Sequence, residues 1–390
     1  MDNSQDKVNL SALSLFVATP AQTKASHKRT WTQWNDGLTE EQYIKRETLV
    51  GEMEHAANSR LITWVLVPRD NPTTLDFVSS CETFRRRGLV VYSRPNGNRN
   101  EPQEVTCYGI ASVYVRPSER GNGYASHMMR LLHWVLSGRT AEYNLPEFPA
   151  EWGAPPPEVE SAGKGLFSVL YSDIGEEFYK KSGPALTETG GWEVRDYIST
   201  VWEVPPQPSN LETDGSWTWL KQKDLDRLWA MDVEHIKRNI AAMPTSGSST
   251  LVTFLPDQGV GFFQVIRTAF EGLVSMDSWG VEKNDGNIDQ PTYATWSVDR
   301  LVHPRKLLVT RIMATESTFP GLVEKIQRAA RESGIRKVEA WNLPESLTGV
   351  AEQLGGTTFE RDEHLPTIKW YGKGDTTDIK WVFNERFCWC

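Results

Sequence analysis

The chain has 390 residues, 39% of them hydrophobic and 24% charged, which excludes a fibrous repeat or a disordered polymer and leaves room for two packed domains of ordinary size. A net charge of −9 at pH 7 supplies no basic footprint, so composition argues against nonspecific nucleic-acid or anionic-lipid binding and favours a small cationic partner. No run is apolar and long enough to span a membrane or to act as a secretory signal, and Cys81, Cys107, Cys388 and Cys390 are too few for a disulfide framework, so the cytoplasm is the expected compartment.

Residues 14–19 predict a strand, and 23–34 and 40–57 two helices, the second with Tyr43, Ile44, Leu49 and Val50 on one face. Strands follow at 61–67, stopped by Pro68, at 81–92, and at 105–115 after a polar turn over 94–100. Residues 126–136 predict an amphipathic helix with Met128, Met129, Leu132 and Val135 turned inward. The proline-rich, acidic stretch 142–164 reads as a long loop, either a lid over a site or a plain insertion. A strand over 166–171, a short helix over 176–181 and a strand over 193–204 come next. The stretch 205–215 is the best linker, dividing the chain into domains 1–206 and 207–390.

Beyond the linker a helix is predicted at 223–242, strands at 250–254, 259–266, 294–301 and 307–314, a helix at 319–333, a strand at 337–341 and a helix at 347–354. This order echoes the first half, so a second lobe of similar topology is expected, without a glycine-rich loop over 307–322. The sixteen tryptophans serve core and interface packing, or line a ligand cleft in part.

The segment that carries chemistry begins in the strand residues Val113, Tyr114 and Val115. It continues through Arg120, Gly121, Asn122 and Gly123, and enters a helix through Tyr124, Ala125 and Ser126. Backbone amides of such a loop and of a helix N-terminus converge on one point, where they can hold a pyrophosphate. Glycine lets phosphate approach the backbone closely. The lysine and hydroxyl residue of a nucleotide-hydrolysing loop are missing after Gly123, and the spacing does not fit a dinucleotide fold.

Arg120, Gly123 and Ala125 occupy the fixed positions of the GNAT acetyltransferase signature, and the segment resembles it. The resemblance implies an α/β (α+β) fold with a central mixed, mostly antiparallel twisted sheet flanked by helices, followed here by a C-terminal lobe of GNAT-like topology. It further implies acetyl-CoA as cosubstrate, no metal, and transfer of the acetyl group to an amine. The second lobe, lacking the loop, is expected to bind no CoA and to contribute to the substrate cleft. Residues 170–183 resemble the second signature of the family, a splayed strand and then a helix bearing Phe178 and Tyr179. There Tyr179 would protonate the departing thiolate, unless it is a core aromatic.

The wording of 170–175, the Cys81, Glu82, Thr83 triplet and the ending 383–390 are similar to the fungal lysine N-acetyltransferases, which implies the side-chain amine of free lysine as acceptor. A polyamine, a drug-like or secondary-metabolite amine, or a noncatalytic acyl-CoA sensor are the alternatives. An ammonium must lose a proton before it can attack, and Glu82 and Asp173 are the candidate bases. Glu82 could instead pair with Arg85 or Arg86, and Asp173 could cap the helix after it. The aromatic ending also resembles that of two-lobed bacterial aminoglycoside acetyltransferases, which would make a carboxylate at Cys390 a third candidate. The backbone amide near Tyr114 or Val115 would face the thioester oxygen. His127 and His133 either contact the cosubstrate or fill the core. The sequence does not specify the oligomeric state.

Overall fold

The computed structural model describes residues 9–35, 37–92, 101–140, 142–206, 216–243, 249–270, 274, 276–287, 289–299 and 305–390. The expected turn at 94–100 and most of the expected linker at 205–215 lie outside them.

Strand β1 (Leu13–Val17) leads into helices α1 (Pro20–Trp34) and α2 (Glu40–Glu52). Each helix starts on a reciprocal cap, Thr19 with Gln22 and Thr39 with Gln42, and Pro20 sits in the first turn, where a missing amide costs no hydrogen bond. Strands β2 (Leu61–Pro68), β3 (Ser79–Val91) and β4 (Gln103–Val115) form an antiparallel meander. Helix α3 (Tyr124–Leu136) crosses over, and β5 (Phe167–Ser172) returns parallel to β4. Met128, Met129, Leu131 and Leu132 of α3 are all at 0% exposure against this sheet. Each such burial is worth about 1.5–3 kcal/mol, which fixes where the helix begins and points.

Helix α4 (Glu177–Lys180), β6 (Glu193–Val194) and β7 (Ile198–Glu203) follow. The single strand expected at 193–204 is therefore two, broken at 195–197, and its halves enter different sheets. The rest of the chain comprises β8 (Trp217–Leu220), α5 (Leu225–Ala242), β9 (Thr250–Phe254), α6 (Phe263–Ala269), β10 (Gly280–Lys283), β11 (Tyr293–Asp299) and β12 (Lys306–Met313). Helix α7 (Phe319–Glu332), β13 (Lys337–Trp341), α8 (Glu345–Gln353), β14 (Thr357–Glu360), β15 (Leu365–Trp370) and β16 (Ile379–Trp381) complete it.

One sheet has nine strands along the path β1-β2-β3-β4-β5-β15-β6, with β9 bonded to β3 and β16 to β9; the other runs β14-β7-β13-β12-β11-β10-β8. The second sheet repeats the logic of the first: β11 and β12 are antiparallel, α7 crosses, and β13 returns parallel to β12. The strand beside each parallel pair is exchanged. β15 of the second half pairs with β5, and β7 of the first half pairs with β13. Both sheets thus draw strands from either side of residue 206, and each half supplies a strand that the other needs.

One expected element is of the wrong kind. Residues 259–266 lead into helix α6 instead of forming a strand, with Gly259 turning the chain at φ +81°. Phe263, Gln264, Val265 and Ile266 are all buried, so no polar face exists to betray the helical period. In the second lobe the connection between β12 and α7 contains no glycine. It closes on hydroxyls, the Thr315 amide donating to Thr318 Oγ1 at 3.0 Å and the Thr318 amide to Thr315 Oγ1 at 3.3 Å.

Candidate active site

Strands β4 and β5 are bonded only from Cys107 with Phe167 to Ile110 with Leu170, and then diverge. At the point of divergence β4 bulges: its register against β3 shifts between Ser80 and Glu82, and Ser112 is held at φ +54°. A serine in this left-handed region is strained, and bulges of this kind re-aim a strand beside a site. The resulting wedge widens into a cavity of about 870 Å³, walled by β3 and β4, the start of α3, α2, α6 and the chain's last residues.

The loop forms one end of this cavity. Gly121 and Gly123 have φ +89° and +79°, and Gly123 is the N-cap of α3, with no side-chain cap; the helix starts at Tyr124, two residues before the expected start. The first-turn amides of α3 thus have no capping side chain and sit at the positive end of the helix. Arg120 Nε donates to the Val115 carbonyl at 3.2 Å and ties the loop to the strand. Val113, Tyr114, Val115, Arg120, Gly121, Gly123, Tyr124, Ala125 and Ser126 all line the cavity. Asn122 does not line it; its side-chain amide folds back to donate to the Glu119 carbonyl at 3.2 Å.

Glu82 lines the cavity beside the bulge and meets neither Arg85 nor Arg86. Arg85 donates to the Ser161 carbonyl and Arg86 to that of Cys388. Glu82 Oε1 lies 3.3 Å from His27 Nε2, and Oε2 accepts the Ser112 hydroxyl at 2.8 Å. Burial pushes the Glu82 carboxyl up, but the hydrogen bond and charge of His27, the Ser112 hydroxyl and Arg267 outweigh it, so the group titrates below its ordinary value. Burial likewise opposes the charged form of His27, and the contact with Glu82 carries it above its ordinary value. The result is a buried carboxylate kept ionised beside an imidazole able to hold a proton. His27 and Ser112 are functional-site candidates that the sequence reading missed, since α1 and the bulge carry no local signature of them.

Tyr179 faces the same cavity from the β5 side, 8% exposed, its ring 4.9 Å from that of Phe178. Burial, then the charges of Asp173 and Cys81, raise its phenol well above the ordinary value, so it stays protonated. Asp173 lines the cavity but does not cap α4; it accepts the His364 amide at 2.9 Å and lies 2.9 Å from His364 Nδ1. Burial opposes its ionisation, and His364 reverses the sign and lowers it. Cys390 lines the cavity, its Sγ 3.7 Å from the Ile110 carbonyl.

The other candidates lie elsewhere. None of residues 142–164 that are described lines the cavity, which corrects the expected lid. Tyr143, Leu145, Phe148, Trp152, Val159 and Ala162 pack on the core around α3 instead, Phe148 lying 4.9 Å from Trp134. Only Trp34 and Trp389 of the tryptophans reach the cavity among the described residues. His127 and His133 are buried core residues, at 2% and 0% exposure. His133 lies 3.0 Å from the Tyr371 hydroxyl and 2.9 Å from the Ser182 carbonyl, and stacks on Trp192 at 4.2 Å. Burial lowers its pKa from 6.5 to about 3, so its contribution to stability is present above 6.5 and is lost as pH falls toward 3. Between pH 7 and pH 5 the wild type should therefore lose about 2 kcal/mol more stability than a His133→Asn variant, measured by denaturant titration at each pH.

Comparison with known proteins agrees with this architecture. Residues 201–390 match the LYC1 GNAT-like C-terminal domain family. The chain is 30% identical over 415 residues to the Saccharomyces cerevisiae protein YGR111W, which is uncharacterized, covering 95% of this chain and 96% of that one. A Yarrowia lipolytica lysine acetyltransferase is 24% identical over 200 residues, 51% of this chain and 45% of that one. Among solved structures, a conserved protein of unknown function from Enterococcus faecalis superposes with a TM-score of 0.51 at 10% identity, over 91% of this chain and 71% of that one. The chain belongs to the GNAT family, in the group that carries the LYC1 GNAT-like C-terminal domain.

Proposed function

We propose that this chain transfers the acetyl group of acetyl-CoA to the amine of a small molecule, the side-chain amine of free lysine being the favoured acceptor. One observation carries the reading: an uncapped helix N-terminus with two left-handed glycines opens onto the same cavity as an ionised carboxylate and a protonated phenol. The loop suits a pyrophosphate because an added Cβ at Gly121 would meet nothing within 4 Å, leaving its amide face open. Acetyl-CoA would supply an acyl thioester there. The lysine assignment is supported by the likeness to the Yarrowia protein and by the acidic groups of the cavity wall, Glu47, Glu82, Glu119, Asp173 and Asp299.

In this reading the backbone of 113–115, freed from β5 by the splay, faces the thioester oxygen and stabilises charge that develops on it. Glu82 takes the proton from the acceptor ammonium, with His27 able to share it. Tyr179 donates a proton to the departing sulfur. Residues 1–206 hold the cosubstrate and 207–390 form the far wall, where α6, Trp389 and Cys390 meet the acceptor. Cys390 lines the same wall, its Sγ 3.7 Å from the Ile110 carbonyl, and is a second candidate at the site. Asp173, engaged with His364, is the weaker choice.

The experiment is a thiol-release assay over a panel of amines, with direct titration of acetyl-CoA. Gly121→Val should raise the KM for acetyl-CoA at least about tenfold while kcat stays within about twofold, because a side chain there obstructs phosphate approach without touching the reacting groups. Binding of acetyl-CoA with no release of thiol for any amine would favour the sensor reading.

A further inference from the structure

Helix α6 and residues 385–389 build a feature around Arg386, a residue to which the transfer chemistry above gives no role. The guanidinium of Arg386 lies between two indoles, its Cζ 4.2 Å from the ring centroid of Trp341 and 4.2 Å from that of Trp389. Arg361 lies 3.9 Å from the Trp341 centroid, and Arg267 lies 5.2 Å from that of Trp389. Cations and indoles therefore alternate in a column that ends at the cavity, which Arg386, Trp389 and Arg267 all line.

The column fixes Arg386 in place. Gln264 of α6 grips it from both ends, accepting its Nε at 3.2 Å and donating to its own carbonyl at 2.5 Å. The neighbouring Glu385 accepts the Ile312 amide at 2.8 Å and the Arg311 guanidinium, which pins the segment to β12. Arg386 is only 7% exposed, yet among the described residues no carboxylate stands within the 4.0 Å of an ion pair. Its Nη1 is buried out of reach of the cavity with no partner, and the one side-chain hydrogen bond it makes among the described residues is that from Nε to Gln264. Asp299 and Glu339 attract its charge from beyond ion-pair distance, but a guanidinium buried with no direct ion pair is still costly. Stacking on tryptophan offsets part of that cost and leaves the planar edge free. A rigid guanidinium that lines the cavity and has no carboxylate paired with it can receive one there as a charge-assisted partner.

We infer that Arg386 is the specificity-determining residue of the acceptor site, binding the carboxylate of an amine substrate while that substrate's amine is presented to Glu82. The cavity then selects amino acids over simple amines and polyamines, because only the former fill the charge at both ends. This rests on the acetyltransferase reading and goes beyond it by assigning the residue that recognises the acceptor's anionic group.

The test compares L-lysine with lysinamide and 1,5-diaminopentane, which keep the reacting amine and lack the carboxylate. Wild-type protein should show a kcat/KM for lysine about 100-fold above that for either analogue. In R386Q that ratio should collapse toward one, mostly through the KM for lysine, with the KM for acetyl-CoA unchanged; R386K should recover part of it. Equal kcat/KM for lysine and lysinamide in the unmutated protein overturns the inference, as does an R386Q defect of the same size for every amine, which marks a purely structural role. Should no amine be turned over, the transfer reading fails. The inference is then judged by calorimetric titration of lysine against lysinamide: tighter lysine binding that R386Q removes supports it, and equal or absent binding overturns it.

Discussion

Tyr179→Phe should lower kcat by about 100- to 1,000-fold with the KM for acetyl-CoA little changed, the range expected when one positioned proton donor is removed. The substitution deletes a single oxygen from a ring packed against Phe178 and Trp192, so the cavity keeps its shape and cosubstrate binding has no reason to weaken. The phenol enters the reaction protonated, because burial holds its pKa above the ordinary value. An unchanged kcat would assign that protonation to another group.

Glu82→Gln should be at least as damaging near neutrality, by about 100- to 10,000-fold in kcat, and its signature is the pH profile. Glu82 is ionised well below neutral pH, so the wild type carries a working base throughout the range from 6 to 9. The variant must wait for free amine from solution, whose fraction grows about tenfold per pH unit up to the amine's pKa near 10.4. Its rate should rise about tenfold per unit while that of the wild type rises less, so the deficit narrows toward alkaline pH. Parallel profiles would exclude Glu82 as the base. A thermal melt belongs beside the kinetics, because a depressed carboxyl pKa also contributes stability that is present above its unfolded value, near 4.5, and the glutamine forfeits it.

What was legible in the sequence follows the range of the interactions that decide it. The strand, loop and helix from Val113 to Leu136 are set by local patterning and by glycines with no freedom to be anything else, and the structure differs only in starting α3 at Tyr124. Glu82 and Tyr179 stand out through their surroundings in the chain, and both line the cavity, but their partners leave no such mark. His27 reaches Glu82 from 55 residues away and Gln264 reaches Arg386 from 122 away, and no periodicity records such distances. The exchange of β7 and β15 was hidden for the same reason, since a six-residue strand carries no mark of which sheet will accept it. Helix α6 was misread because burial on every side erases the polar face that distinguishes a helix from a buried strand. The proline-rich loop at 142–164 was weighed as a lid from composition, yet its scattered aromatics are what bind it to the core behind α3.

The account stands on acetyl transfer within one cavity, and the most direct measurement uses acetyl-CoA labelled in its acetyl group, incubated with the purified chain and lysine and followed by mass spectrometry. The account predicts label on the lysine side-chain nitrogen in one-to-one ratio with released CoA. Acetyl-CoA that binds and remains intact in the presence of lysine and of every other amine tested would contradict it.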